Sequence, residues 1–127
     1  ENKKMIKLVL LMTAQSFLLV LGQIFLKKML IGTDFHKITI AAIISIAGNY
    51  TLWTAIAFSF LSAIIWIYVL KMYEFNLAYP MLSIGYILAL VAGRLFFNEE
   101  ISVYSIVGVV FIITGIMIVG LNKNISI

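Results

Sequence analysis

Three cations and one carboxylate are the residues of this chain whose types and spacing best suit chemistry. Lys27 and Lys28 close one long apolar run, Arg94 stands near the end of another, and Glu99 follows five residues later. A guanidinium presents a planar fork of donors that grips the oxygens of a phosphate, and ammonium groups beside it add point charge. Together Lys27, Lys28 and Arg94 would make a clamp for an anionic headgroup. The competing reading is snorkelling, in which a long cationic side chain lies along apolar surface with its head among the headgroups. Glu99 and Glu100 precede the last apolar run, where carboxylates meet the positive end of a helix dipole. Glu99 is also within reach of Arg94 across the helix end, and Lys71 with Glu74 reads as a similar edge pair.

Two amides come next, Gln15 and Gln23 in the first run. In lipid a full amide needs a partner, either on another helix or on a polar substrate. The hydroxyls Thr51, Thr54, Ser59, Ser62 and Ser83 have a plainer role, bonding their own backbone or letting helices approach. No ionisable residue falls in the middle of any run, and a proton-coupled pump needs a carboxylate whose pKa desolvation can raise. The absence of cysteine excludes disulfides and thiolate metal sites, and the lone His36 beside Lys37 reads as a solvated interfacial residue. No metal or cofactor is expected. No nucleophile, base and orienter converge in any run, so an enzyme is not expected either.

The elements that position these residues follow from composition. Of 127 residues 64% are hydrophobic, and the mean hydropathy is +1.15. A soluble domain of this size keeps too much of its surface in water to hide that apolar content. The expected class is all-α, an integral membrane bundle of four transmembrane helices. A net charge of +4, with lysines flanking apolar runs and forming no stripe, points to anionic headgroups and not to nucleic acid.

Charges punctuate the chain into the charge-free runs Leu8 to Leu26, Ile38 to Leu70, Phe75 to Gly93 and Ile101 to Asn122. A spanning helix needs about 20 apolar residues. The second run would extend roughly 50 Å as one helix, against a hydrocarbon core of about 30 Å. Gly48-Asn49 is the expected break within it, dividing an interfacial helix over 35–47 from a true span; a single long tilted helix is the competing reading. The expected spans are 5–30, 50–71, 77–97 and 102–121, in one transmembrane domain. The N-terminal KKMIK and its apolar run lack a small-residue cleavage pattern, so the run is expected to stay as a helix. Pro80 falls near the first turn of the third span, where a missing N–H is tolerated, and Tyr79 is placed as an interfacial aromatic.

Four spans put both ends of the domain on one side. That side carries Lys3, Lys4, Lys7, Lys71 and Lys123, and the other carries Lys27, Lys28, Lys37 and Arg94. So even a distribution gives almost no positive-inside bias, and the chain could pair with an inverted copy of itself. Gly108 and Gly115, seven apart on one face of the fourth span, make a flat strip for a dimer contact.

Particular stretches also carry a resemblance. The segments AYPMLS (78–83), the acid at Glu99 with Ile101-Ser102, and GVVFIITGIMIVG (108–120) are similar to the small four-helix members of the drug/metabolite transporter superfamily. GQIFLKK (22–28) and WIYVLK (66–71) resemble the ends of the first and second helices of the ArnE/ArnF-type subunits, which are assigned to flipping aminoarabinose linked to undecaprenyl phosphate. The related small multidrug resistance exporters work as antiparallel homodimers and carry an essential first-helix glutamate. Aligning their following glycine on Gly22 puts Leu19 in the glutamate's place, so the resemblance implies their architecture without their proton exchange.

The resemblance implies a flippase for a polyprenyl-phosphate-linked sugar or similar anionic lipid in the bacterial inner membrane. It would act as a homodimer, antiparallel or not, or as a heterodimer with a similar subunit. Lys27, Lys28 and Arg94 would bind phosphate, with Glu99 beside them. Gln15 and Gln23 would contact sugar or hold the cleft open, and Tyr79 and Trp66 would line it. The alternatives are an exporter of small cations or metabolites, and a non-transporting accessory subunit of a lipid-modifying complex.

Overall fold

A computed structural model describes residues 2–33 and 39–121. Asp34, His36, Lys37 and Lys123, and the expected start of the surface helix at 35, lie outside the described residues. Helix α1 runs Asn2–Ile31, α2 Ile40–Ala47 and α3 Tyr50–Met72. A helical turn, α4 (Phe75–Ala78), a 3-10 turn at Pro80–Ser83 and helix α5 (Ile84–Phe97) together make the third crossing, Phe75–Phe97. Helix α6 is Val103–Gly120. Among the described residues α1, α3, the crossing Phe75–Phe97 and α6 are each long and apolar enough to cross a membrane, which makes the chain an all-α, multi-pass membrane bundle.

Local chemistry explains the breaks. The 33-residue apolar stretch divides where Gly48 ends α2 and the Asn49 side chain accepts from the Thr51 N–H at 3.0 Å, capping α3. Trp53 Nε1 reaches back across the break to donate to the Ala47 carbonyl at 2.8 Å. Thr39 caps α2, accepting from the Ala42 N–H at 3.2 Å. A helix of eight residues rises only about 12 Å, too little to cross, and none of its residues is buried. Ser102 caps α6 through the Ser105 N–H. At Pro80 the chain tightens into the 3-10 turn, with Pro at a first-turn position where no N–H is needed.

Packing centres on α1, which lies against α3 along much of its length and against α5 toward its C-terminal half. Leu8 and Met12 of α1 are fully buried among Val69, Tyr73, Leu77 and Met81, near one membrane face. Deeper in the bundle Gln15 Nε2 donates to Ser62 Oγ at 3.0 Å, and Ser16 Oγ donates to Gln15 Oε1 at 3.3 Å. All three residues are buried, so this is a bond between α1 and α3 and not a surface for substrate. Lys71 and Glu74, expected as an edge pair, form no ion pair. The extended, buried Tyr73 between α3 and α4 redirects the chain there. No residue of α6 is buried; Ile116 and Val119 rest on the edge of the core, Ser105, Gly108 and Ile112 continue that half-buried stripe, and the opposite side of the helix is exposed.

Candidate functional site

The site is built where the C-terminal half of α1 meets that of α5. Along this contact α5 presents Ala89, Ala92 and Gly93, side chains too small to fill the space opposite Val20, Gln23 and Ile24. The result is a cavity of about 230 Å³ with Phe97, Lys27 and Glu99 at its outer end. Gln23, unlike Gln15, is exposed and faces this cavity. The two amides are eight residues apart, which turns them roughly 80° round a helix onto different neighbours.

Glu99 reaches the cavity because of how α5 ends. Asn98 takes the left-handed conformation (φ 52°), and the next amide, Glu99 N–H, donates back to the Gly93 carbonyl at 3.1 Å. Asn is a natural occupant of such a helix end. The turn lays the Glu99 side chain on Gly93, where a Cβ would stand 2.5 Å from Oε2. There the carboxylate forms an ion pair with Lys27 Nζ of α1. Both side chains are about half exposed. Lys27 Nζ also sits 4.7 Å from the centre of the Phe97 ring, and Lys28 Nζ 5.1 Å from that of Phe96, the usual geometry of cation–π contact.

Glu99 therefore pairs with Lys27 and not with Arg94. Gly93 faces α1, so the turn delivers Glu99 to that side. Arg94 is one residue further round the helix; it is exposed and makes no hydrogen bond or ion pair with any described residue. Lys27, Lys28, Arg94 and Glu99 share one end of the bundle, with Gln23 a turn deeper. Trp66 and Tyr79 stand at the opposite end. Their rings meet edge-on at 6.1 Å, with Phe75 5.0 Å from Tyr79, so they line no wall of this cavity. The eighteen residue steps from Tyr79 to Phe97 would rise roughly 27 Å, nearly a full hydrocarbon thickness.

Beside the polar cavity runs an apolar groove of about 210 Å³ between Phe17 and Leu21 of α1 and Leu88, Val91, Leu95 and Phe96 of α5. Val20, Ile24 and Ala92 line both spaces, which flank one helix contact. A pocket with charged groups at its outer end, next to an apolar slot across the same helix contact, suits a molecule with an ionic head and a hydrocarbon tail.

No protein-family model and no solved structure matches the chain. Curated relatives do, and those cited here share the name "Probable 4-amino-4-deoxy-L-arabinose-phosphoundecaprenol flippase subunit ArnE". The protein of that name from Aeromonas hydrophila is 47% identical over 57 residues, 45% of this chain and 50% of the relative. One from Pseudomonas savastanoi pv. phaseolicola is 29% identical over 111 residues, 87% of this chain and 95% of the relative. One from Pseudomonas syringae pv. syringae is 36% identical over 74 residues, 58% of this chain and 68% of the relative. The chain belongs to the ArnE family of flippase subunits.

Against the Aeromonas ArnE proteins the match spans about half their length. For this ArnE-type chain, sequence reasoning missed Gly93, Asn98 and Phe97, which carry the geometry of the site. A signal existed in "GRLFFNEE": a glycine within a helical run, and an asparagine, which tolerates left-handed backbone, at its end. The pairing of Gln15 with Ser62 had no such signal, because nothing local links residues 47 positions apart.

Proposed function

We propose that this chain is a subunit of a flippase that carries a polyprenyl-phosphate-linked amino sugar across the bacterial inner membrane. The observation that carries the proposal is the cavity and the groove on the two sides of one contact between α1 and α5. Lys27, Gln23 and Glu99 line the polar part and only apolar side chains line the rest. The phosphate would be held by Lys27, with Lys28 and the unpaired Arg94 drawing it in from the headgroup layer. Gln23 would contact the sugar, and the prenyl chain would lie in the groove, open to lipid. The role is transport without catalysis or cofactor. Trp66 and Tyr79 would serve at the far end of the path, as part of the aromatic belt.

Four helices leave little room to enclose a headgroup, so a second subunit is part of the proposal. It would be another copy of this chain or a similar subunit, docked on α6 where Gly108 and Gly115 lie. The test is native mass spectrometry of the protein extracted with its own lipids, beside a flipping assay in vesicles. A bound polyprenyl phosphate or its glycosylated form, lost together with flipping in Arg94→Ala, supports the proposal. Normal flipping by a well-folded Arg94→Ala protein removes Arg94 from the phosphate site. Copurification of bulk phospholipid alone counts against the substrate. A second reading, export of small cations, is favoured by the Glu99 carboxylate at the same cavity. Proton-gradient-dependent uptake of a cationic dye would support it.

A further inference from the structure

The charged end of the cavity holds two opposite charges, and a phosphate needs only one of them. Glu99 would repel an anionic head if it did no more than line the site. It is nevertheless placed there by the helix end and by a glycine: the left-handed turn at Asn98 brings its N–H to the Gly93 carbonyl, and the missing Cβ at Gly93 admits its carboxylate. The name of these relatives describes a lipid with a phosphate and an amino group on one sugar.

From this we infer that Glu99 is the specificity-determining residue for the amino group, and that the Lys27–Glu99 ion pair is an internal stand-in for the zwitterionic head. The inference rests on the flippase function proposed above. In the structure each group satisfies the other's charge. When the head enters, its phosphate takes Lys27 and its ammonium takes Glu99. One ion pair is exchanged for two, and no charge is left unpaired in the cavity. Two surroundings favour a cation at Glu99. The carboxylate lies just past the C-terminus of α5, the negative end of that helix dipole. The Phe97 ring, now covered by Lys27 Nζ at 4.7 Å, offers its face to the ammonium once Lys27 moves to the phosphate. A head with phosphate alone would have to break the same pair and leave Glu99 without a partner, so the site discriminates against it.

The experiment compares two short-chain polyprenyl phosphates in nanodiscs, one bearing an amino sugar and the other the same sugar with hydroxyl in place of the amine. Binding to the wild-type chain, Glu99→Gln and Glu99→Asp is read by native mass spectrometry. A charge-assisted hydrogen bond predicts about a tenfold wild-type preference for the amino probe. Glu99→Gln should lose the preference while keeping the hydroxyl probe bound, and Glu99→Asp should retain most of it. If Glu99→Gln weakens both probes equally, the carboxylate only positions Lys27 and the inference is overturned. It is likewise overturned if the preference survives in Glu99→Gln, or if the wild type binds both probes alike. Failure of the wild type to bind either probe removes the flippase substrate itself, and the role of Glu99 with it.

Discussion

Gly22 on α1 and Ala55 on α3 approach so closely that a Cβ on the glycine would lie 3.0 Å from the Ala55 carbonyl oxygen. Ser59 Oγ would be 3.1 Å away and Phe58 Cβ 3.3 Å. Apolar burial does not drive helices together in a bilayer, because lipid is as apolar as a side chain. Close backbone approach of this kind is what holds α1 on α3. The serine can rotate aside; the carbonyl cannot.

Gly22→Leu should therefore part α1 from α3 and destabilise the chain by about 1–3 kcal/mol, the usual effect of overpacking. Gly22→Ala should do so less. Thermal unfolding in detergent, followed by helical circular dichroism, checks both.

Gln15 and Gln23 should divide cleanly between stability and transport. Gln15→Ala removes a buried bond between helices and should lower stability by about 1 kcal/mol. Ser62→Ala should do about the same, and the double variant should fall well short of the sum, since both remove one interaction. Flipping per folded molecule should survive. Gln23→Ala should reverse the pattern, with stability kept and flipping reduced.

Gly93→Ala separates the fold from the site. Alanine is a better helix former by about 0.5–1 kcal/mol, so the helix should hold at least as well. The new methyl group would displace the end of the Glu99 side chain and with it the partner of Lys27. A melting temperature at or above wild type with reduced flipping is the expected pair of results. Because the Lys27–Glu99 pair is half exposed, Lys27→Gln by itself should change stability by less than about 1 kcal/mol.

Gly108→Leu and Gly115→Leu probe one side of α6, where Gly108 is half-buried and Gly115 exposed. A Cβ at either position meets nothing within 4 Å among the described residues, so both variants should fold normally. If these glycines form the contact with a second subunit, crosslinking between subunits should fall sharply in each variant. Unchanged crosslinking would move the contact elsewhere.

The helices were legible because bilayer thickness fixes their length and charges mark their ends. The division of the long second stretch was legible at Gly48-Asn49, where a helix stop meets a capping side chain. The site was legible only in its cations. Lys27 and Arg94 are candidates for an anionic partner by type. Which of them takes Glu99 depends on the direction of the turn at Asn98, and charge counting carries no direction. Trp66 and Tyr79 were grouped with Lys27 by chemistry although they lie at the other membrane face. The sequence indicates which residues are polar or aromatic, and the helix rise decides how far apart they stand.

The fourth crossing has a consequence for assembly. Since α6 buries none of its residues, the first three crossings carry the tertiary structure of the chain, and α6 is held chiefly by its short connection and by contacts at one edge of the core. If the second subunit proposed above docks on the exposed side of that helix, it displaces lipid tails and no protein contacts. Assembly then needs no prior unfolding or rearrangement, and its rate should follow lateral encounter in the membrane, set by how many subunits share a given area of bilayer.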